Sequence, residues 1–441
     1  MAQVYPFRAY RYNPAKADFR RVLTQPYDKI TPAMQEKYYA ADPHNLITVE
    51  KGRVHATDTP QDNVYTRAAA ALNAWMAGDM LVADAAPCFY AYLQEYTIPG
   101  TQEKRTRVSF IGAGKLEEYE AGVVFRHERT LTGPKADRLE LLRHTQTHTG
   151  QIFMIYSDAS CRVDAILREV AAAGAPATDV RDEYGVAHRL WPVSDAAKIA
   201  EIQKVMAGQK LVIADGHHRY ETAINYRNER RAKAGAGASA DAPYERTMMT
   251  FVNTCSKELT ILPTHRVVAN VKDFSWEGLR GKLAAWFEIE TLAGANAEER
   301  AAFMRKLVAE RARRALGVYA GGGKIHLLKL KAGTDMAALL PGEEPMQRGL
   351  DVVLLHRGIL EQMLGITQQA VTAEANLTYE REAATAMEAV DRGAAQAAFL
   401  LNAVDADEVM RIATAGGVMP QKSTDFFPKM LSGIALYRVD G

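Results

Sequence analysis

The chain has 441 residues, enough for two or three domains at roughly 100–200 residues each. Hydrophobic residues make up 48% and charged residues 24%, a composition that supports sizeable cores without disulfide staples. The 54 Lys and Arg against 53 Asp and Glu leave a net charge of +1, which removes the diffuse attraction behind sequence-independent DNA binding.

Residues 1–11 are polar and aromatic, without the apolar core of a signal peptide. No stretch approaches the ~20 apolar residues needed to cross a bilayer, so a soluble cytoplasmic protein is expected. Gln25-Pro26-Tyr27-Asp28-Lys29-Ile30 reads as a turn that sets out one acid, Asp28, for a metal or a substrate amine. Residues 63–77 have helical spacing, with Leu72 and Trp75 on one face. Residues 88–98 and 106–116 read as strands of a hairpin turning through Pro99-Gly100-Thr101-Gln102. Residues 137–145, 165–173 and 196–206 read as helices, and 152–156 as a short buried strand. Residues 210–214 form another apolar strand. Residues 171–178 and 234–243, rich in Ala and Gly, read as flexible surface loops. Helix and strand then alternate to the C-terminus, and Gly321-Gly322-Gly323 beside Lys324 reads as a hairpin turn. Hairpins beside helices favour a mixed α/β (α+β) class over a purely doubly wound sheet. Three regions are expected: 1–150, 151–270 carrying the core site, and 271–441. The three cysteines, Cys88, Cys161 and Cys255, have no metal-like spacing and are expected to be reduced and mostly buried.

The strongest chemical signal is Leu211-Val212-Ile213-Ala214-Asp215-Gly216-His217-His218-Arg219-Tyr220-Glu221-Thr222-Ala223. A buried strand ends, Gly216 permits a sharp turn, and a helix starts. A helix N-terminus offers unpaired N–H groups and a partial positive charge, so the turn is an oxyanion site to which His217, His218 and Arg219 add donors. Asp215 can ligate a divalent cation or orient a histidine. An Asp-Gly pair also makes an ordinary turn, and a plain surface pairing of Arg219 with Glu221 or Glu229 is the structural alternative. Zinc is disfavoured, because adjacent histidines diverge and no third ligand motif is near.

Four further blocks carry polar chemistry. Glu128, in His127-Glu128-Arg129-Thr130, is the candidate general base. Lys135, Asp137 and Arg138 lie at a helix start, where Arg138 can clamp a carboxylate or phosphate bidentately. His265 and Arg266, in Pro263-Thr264-His265-Arg266, suit an anionic substrate. Lys422, Ser423 and Thr424, in Met419-Pro420-Gln421-Lys422-Ser423-Thr424, suit a phosphate cradle, although neither a Walker A loop nor a GxGxxG turn is present.

The pattern Gly216, Arg219, Tyr220, Ala223 resembles the phosphate-binding motif of the ParB/sulfiredoxin-like fold. Together with the blocks quoted above, the chain resembles a bacterial and archaeal family of unknown function often labelled ParB-like. The resemblance implies a nucleotide-binding core related to partition proteins, sulfiredoxins and free-serine kinases. His217 stands where sulfiredoxins carry their cysteine, and no helix-turn-helix follows, so the kinase branch is the one that remains. It implies a phosphotransferase using ATP or ADP with Mg²⁺ on serine or phosphoserine, with Glu128, Asp215 and His218 catalytic and Asp215 holding the metal. Gly216, His217, His218, Arg219, Lys422, Ser423 and Thr424 would then bind phosphate, and Asp28, Arg138, His265 and Arg266 the substrate. The alternatives are a nucleotide-sensing regulator associated with DNA and a non-catalytic anion-binding module. Nucleic acid and membrane partners are not expected, and a homo-oligomer is left open.

Overall fold

The computed structural model describes residues 1–128, 133–373, 375–420 and 422–440; the side chains of residues 133–135 lie outside that description, as do Arg129, Thr130 and Gln421 from the polar blocks. The chain divides into two compact units. Unit 1 is residues 1–260 with 428–441, and unit 2 is residues 261–427. Among the described residues no helix is long and apolar enough to cross a membrane.

Unit 1 is built on a nine-stranded sheet of β1 (Val4–Tyr5), β2 (Phe89–Thr97), β3 (Lys104–Lys115), β4 (Val124–Arg126), β5 (Ile152–Tyr156), β6 (Thr178–Arg181), β7 (Ala187–Val193), β8 (Leu211–Asp215) and β9 (Arg246–Asn253). Its order is β4-β8-β5-β9-β3-β2-β7-β6, with β1 also on β3. The pairs β8–β4 and β9–β5 are parallel. The pairs β2–β3, β3–β9 and β5–β8 are antiparallel. The expected hairpin is present, with Thr97 opposite Lys104 and the turn between them. The helices of this unit include α1 (Ile47–Glu50), α2 (Val64–Ala77), α3 (Gly133–Thr145), α4 (Arg162–Ala173), α5 (Ala196–Ala207) and α6 (His217–Ala234). α2 starts at the Asn63 cap, whose side chain accepts from Tyr65 and Thr66 N–H, and it buries Ala68, Leu72 and Trp75 as its spacing requires.

The core between sheet and helices is close-packed. Phe110 stacks on Phe251 with ring centroids 4.7 Å apart and meets Phe89 edge-on at 5.3 Å. Gly114 sits where a Cβ would lie 2.3 Å from Met249 Sδ, so the absence of a side chain there lets the thioether cross β3.

The boundary expected near residue 150 falls inside this sheet, because strands from before and after it are interleaved in the hydrogen-bonding order. The last residues also return to unit 1. Tyr437–Arg438 pairs with Thr147–His148, and Ser432 bridges Thr24. Such pairings span hundreds of residues and leave no local signature in the sequence.

Unit 2 holds a six-stranded antiparallel sheet of β10 (His265–Val268), β11 (Phe287–Ala293), β12 (Leu316–Tyr319), β13 (Lys324–Leu330), β14 (Leu377–Glu380) and β15 (Ala397–Leu400), in the order β11-β13-β12-β15-β10-β14. Gly321, Gly322 and Gly323 close the β12–β13 hairpin at φ of 89°, 68° and 64°, angles that side-chain-bearing residues rarely adopt. Its helices include α7 (Ala297–Ala309), α8 (Ala383–Asp391) and α9 (Ala406–Thr414). Phe303, Leu307, Leu327, Met387 and Leu400 centre a core of their own. The whole is a mixed α/β protein, as its patterning indicates.

Candidate functional site

The turn between β8 and α6 has the geometry its sequence calls for. Leu211, Val212, Ile213 and Ala214 are buried, and Asp215 to Arg219 are half-buried at the strand end. Gly216 is the N-cap of α6 at φ 92° and ψ 29°, and no side chain among the described residues caps the helix. The N-terminal N–H groups of an 18-residue helix therefore face this corner with its positive pole. Arg219 folds back over the turn. Its Nη2 donates to Asp215 Oδ2 at 3.1 Å and its Nη1 to the Gln151 carbonyl. Gly216 leaves it room, since a Cβ there would lie 3.1 Å from Nε and from Nη2. Arg219 Nε and His217 Nε2 are buried and have no hydrogen-bond partner among the described residues.

Charge around the turn is tightly arranged. Burial pushes the Asp215 carboxyl upward, but Lys429, Arg219, Lys29 and His217 overcome it and hold it well below the usual carboxylate range. Lys429 Nζ stands 3.9 Å from Asp215 Oδ1. Burial, followed by the neighbouring His127, drives the His217 imidazole well below its ordinary pKa. His217 is therefore a neutral donor or acceptor and not the cation its sequence position suggests. The His127 and His217 rings lie 4.9 Å apart, and His127 Nδ1 donates to the Ile213 carbonyl at 2.6 Å.

Several sequence-predicted residues meet here. Glu128 follows β4, which runs parallel to β8 with Val124, Phe125 and Arg126 opposite Leu211, Val212 and Ile213. Glu128 lies two residues beyond the end of that pairing. The Glu128 and Asp215 carboxylates, with Lys429, act on the His127 imidazole. Asp28 lies in the short turn Tyr27–Lys29, and Asp215, Asp28, Tyr27 and Glu50 are the groups that raise the Arg219 guanidinium against its burial. Arg138 lies over the Tyr27 ring at 4.4 Å, pairs with Asp137 at 2.6 Å and donates to the Glu50 carbonyl at 2.8 Å. A pocket lined by Tyr27, Glu50, Arg138, Arg219 and Thr222 adjoins a cleft of about 550 Å³. The two share Tyr27, Arg138 and Leu141, and the cleft adds Val49, Gly52 and Tyr65.

Three participants were not singled out from sequence. Glu50 is 2% exposed at the end of α1, where its carboxylate accepts from Thr149 Oγ1 at 2.5 Å and Ser432 Oγ at 3.2 Å. Lys29 and Lys429 supply positive charge to Asp215. Lys429 lies seven positions after Lys422, in a stretch that reads as aromatic packing, and no local feature marks it as a partner of the turn.

The remaining predicted residues belong to unit 2. His265 is 1% exposed, its Nδ1 accepts from Leu401 N–H at 3.2 Å, and burial with the adjacent Arg266 pushes it down to about 4. It is a neutral core acceptor with no charge for an anionic substrate. Arg266 is also buried and donates through Nη2 to the Lys422 carbonyl at 3.1 Å. Ser423 donates to the Pro420 carbonyl at 2.5 Å, and Thr424 follows it in the same unit. The segment 422–424 thus contacts the unit 2 strand carrying Arg266.

Asp215, the residue expected to hold Mg²⁺, faces Arg219 on one oxygen and Lys429 on the other, so a metal ion there has to displace one of these cations. The thiols also depart from expectation: Cys88 is buried, but Cys161 is half-buried and Cys255 exposed.

The chain belongs to the family described as "Protein of unknown function (DUF1015)", whose model matches residues 4–353. No curated protein matches it. Among solved structures it is similar to a conserved hypothetical protein from Pyrococcus furiosus, at 13% identity and a TM-score of 0.31, covering 69% of this chain and 87% of that one. It is also similar to a free serine kinase in complex with AMP, at 12% identity and a TM-score of 0.33, covering 69% and 83%. A third similar structure is SbnI with a C-terminal truncation from Staphylococcus aureus, at 10% identity and a TM-score of 0.33, covering 73% and 85%.

Proposed function

We propose that unit 1 is a nucleotide-dependent phosphotransferase acting on the hydroxyl of a small amino acid, serine in one direction and phosphoserine in the other. The observation that carries this reading is convergence: the segments holding Asp28, Glu50, Glu128, Arg138, Asp215–Arg219 and Lys429 are far apart in the chain and meet around one uncapped helix N-terminus. Backbone N–H groups of α6, Arg219 Nε and the Nε2–H tautomer of His217 take the oxyanions of ATP or ADP. The adjoining cleft has the size for base and ribose. Arg138 and Asp28 offer opposite charges to the carboxylate and ammonium of the amino acid. In transfer, the substrate oxygen bonds to the γ-phosphorus as the bond to the ADP oxygen breaks, and the hydroxyl proton passes to the Glu128 carboxylate.

The test mixes full-length protein with ATP or ADP, Mg²⁺, and serine or phosphoserine, and follows phosphoryl transfer by phosphorus NMR. Turnover is expected in at least one direction. Glu128→Gln should lower it about 10²-fold or more with nucleotide affinity kept, whereas Arg219→Gln should lose nucleotide affinity. Absence of transfer in every mixture refutes the proposal, and tight nucleotide binding without transfer would leave an anion-binding module.

A further inference from the structure

Unit 2 has a cavity of about 190 Å³ built wholly from its own residues. It is bounded by Thr264 just before β10, by Arg311 and Arg314, by Asp351, by Asn402 after β15, and by Ser423. Arg266 also lines it.

The arginines are held from behind. Arg266 is 1% exposed, its Nε donates to His356 Nε2 at 3.1 Å and its Nη2 to the Lys422 carbonyl, and its guanidinium lies 5.3 Å from the Tyr379 ring centre. These contacts fix the plane of the fork. Arg314 donates through Nε to Asp351 Oδ1 at 3.1 Å and through Nη1 to the Arg348 carbonyl at 2.5 Å. The cavity wall therefore carries three arginines, of which Arg266 and Arg314 are fixed in place by these contacts. Asp351 and Glu408 add negative charge on the same wall, which sets an upper limit on ligand charge. The volume is below the range for nucleotide-sized ligands.

We propose that this cavity is a second anion site that takes a small oxyanion, the carboxylate or phosphate group of a compact metabolite, between the guanidinium groups of Arg266, Arg311 and Arg314. It goes beyond the activity of unit 1 and does not depend on it. The charge limit set by Asp351 and Glu408 excludes a nucleoside triphosphate.

The test uses the full chain carrying Arg219→Gln, which removes the unit 1 anion turn, with inorganic phosphate and acetate as separate probes. Hydrogen-exchange mass spectrometry is read over segments 311–314 and 401–404. Saturable protection in those segments by either probe is expected, and the probe that protects at lower concentration identifies the head group. Adding Arg314→Gln should weaken that binding at least tenfold. Arg311 is largely exposed, so Arg311→Gln keeps the fold and should weaken binding several-fold. Absence of protection with both probes, or equal binding in the Arg314→Gln and Arg311→Gln forms, overturns the proposal.

Discussion

Replacing Gly216 by alanine tests the turn on which the unit 1 site depends. Gly216 sits at φ 92°, and an L-residue in left-handed backbone costs about 1–2 kcal/mol. The new Cβ would also press on the Arg219 guanidinium at 3.1 Å. That group is tethered to the Gln151 carbonyl and to Asp215, so it can retreat only by stretching a charge-assisted bond, for which partial loss costs roughly 1–2 kcal/mol. The sum is about 2–4 kcal/mol. At roughly 2–4 °C per kcal/mol for a unit of this size, the melting temperature should fall by about 5–15 °C. Nucleotide affinity should fall with it, because the helix N–H groups and Arg219 Nε are moved together. Asparagine tolerates left-handed backbone but carries the same Cβ, so Gly216→Asn should fall between wild type and alanine. Calorimetry with nucleotide titration reads both quantities. A Gly216→Ala protein melting within about 1 °C of wild type with unchanged affinity, or an asparagine form less stable than alanine, would refute the argument.

Three other outcomes follow from burial and charge. The folded-state pKa of Asp215 is depressed, so its stabilisation is complete above the ordinary 3.8 and is lost as pH falls through the lower folded value. Asp215→Asn should thus destabilise at pH 7 and differ less from wild type as pH drops below about 4, and a constant difference down to pH 2 would contradict it. In unit 2, burial holds His265 at about 4 and His356 at about 3, so both are neutral in the fold and their contribution is full above 6.5 and lost as pH falls. Each should remove up to about 1.4 kcal/mol per pH unit between roughly pH 6 and 4. Hydrogen exchange of residues 397–401, corrected for intrinsic rate, checks this, and His356→Gln should reduce the slope. Gly114→Ala should cost about 1–3 kcal/mol through overpacking against Met249, and most of that cost should vanish in a Met249→Ala background. Additive denaturation free energies in that cycle would show that Met249 is not the obstacle.

Local elements were readable because their causes are local. The apolar run to Asp215, a glycine and then helical spacing predict a strand, a left-handed corner and a helix start, and all three are present. The hairpin strands lie within two residues of their expected ends. Which sheet each loop serves was not readable. Arg266 and Lys422 have the same composition as Arg138 and Lys429, yet the first two lie in unit 2 and the last two in unit 1. The chain re-enters unit 1 only at residue 428, and its ties there are non-local: Arg107 holds the Pro428 carbonyl and Gln94 the Lys429 carbonyl. Glu50 carries no local signal for the same reason. Its partners Thr149 and Ser432 are distant in sequence, and its own segment, Ile47–Glu50, reads as an unremarkable apolar turn.

The ionic state of the turn also constrains how it can select a ligand. Asp215 pairs with Nη2 of the Arg219 guanidinium and not with Nε, so the carboxylate orients the arginine. Asp215 stays ionised and His217 stays neutral throughout the physiological range. The pH dependence of nucleotide affinity between pH 5 and 8 should therefore track the ligand's own terminal phosphate, which gains its second charge near a pKa of about 6. His218 is the remaining imidazole of the turn, and His218→Gln separates its contribution from the ligand's. If affinity rises through about pH 6 equally in wild type and His218→Gln, the dianion is what the helix terminus selects. If affinity does not rise through about pH 6, the helix terminus does not distinguish the dianion, and the backbone dipole is the lesser part of the site.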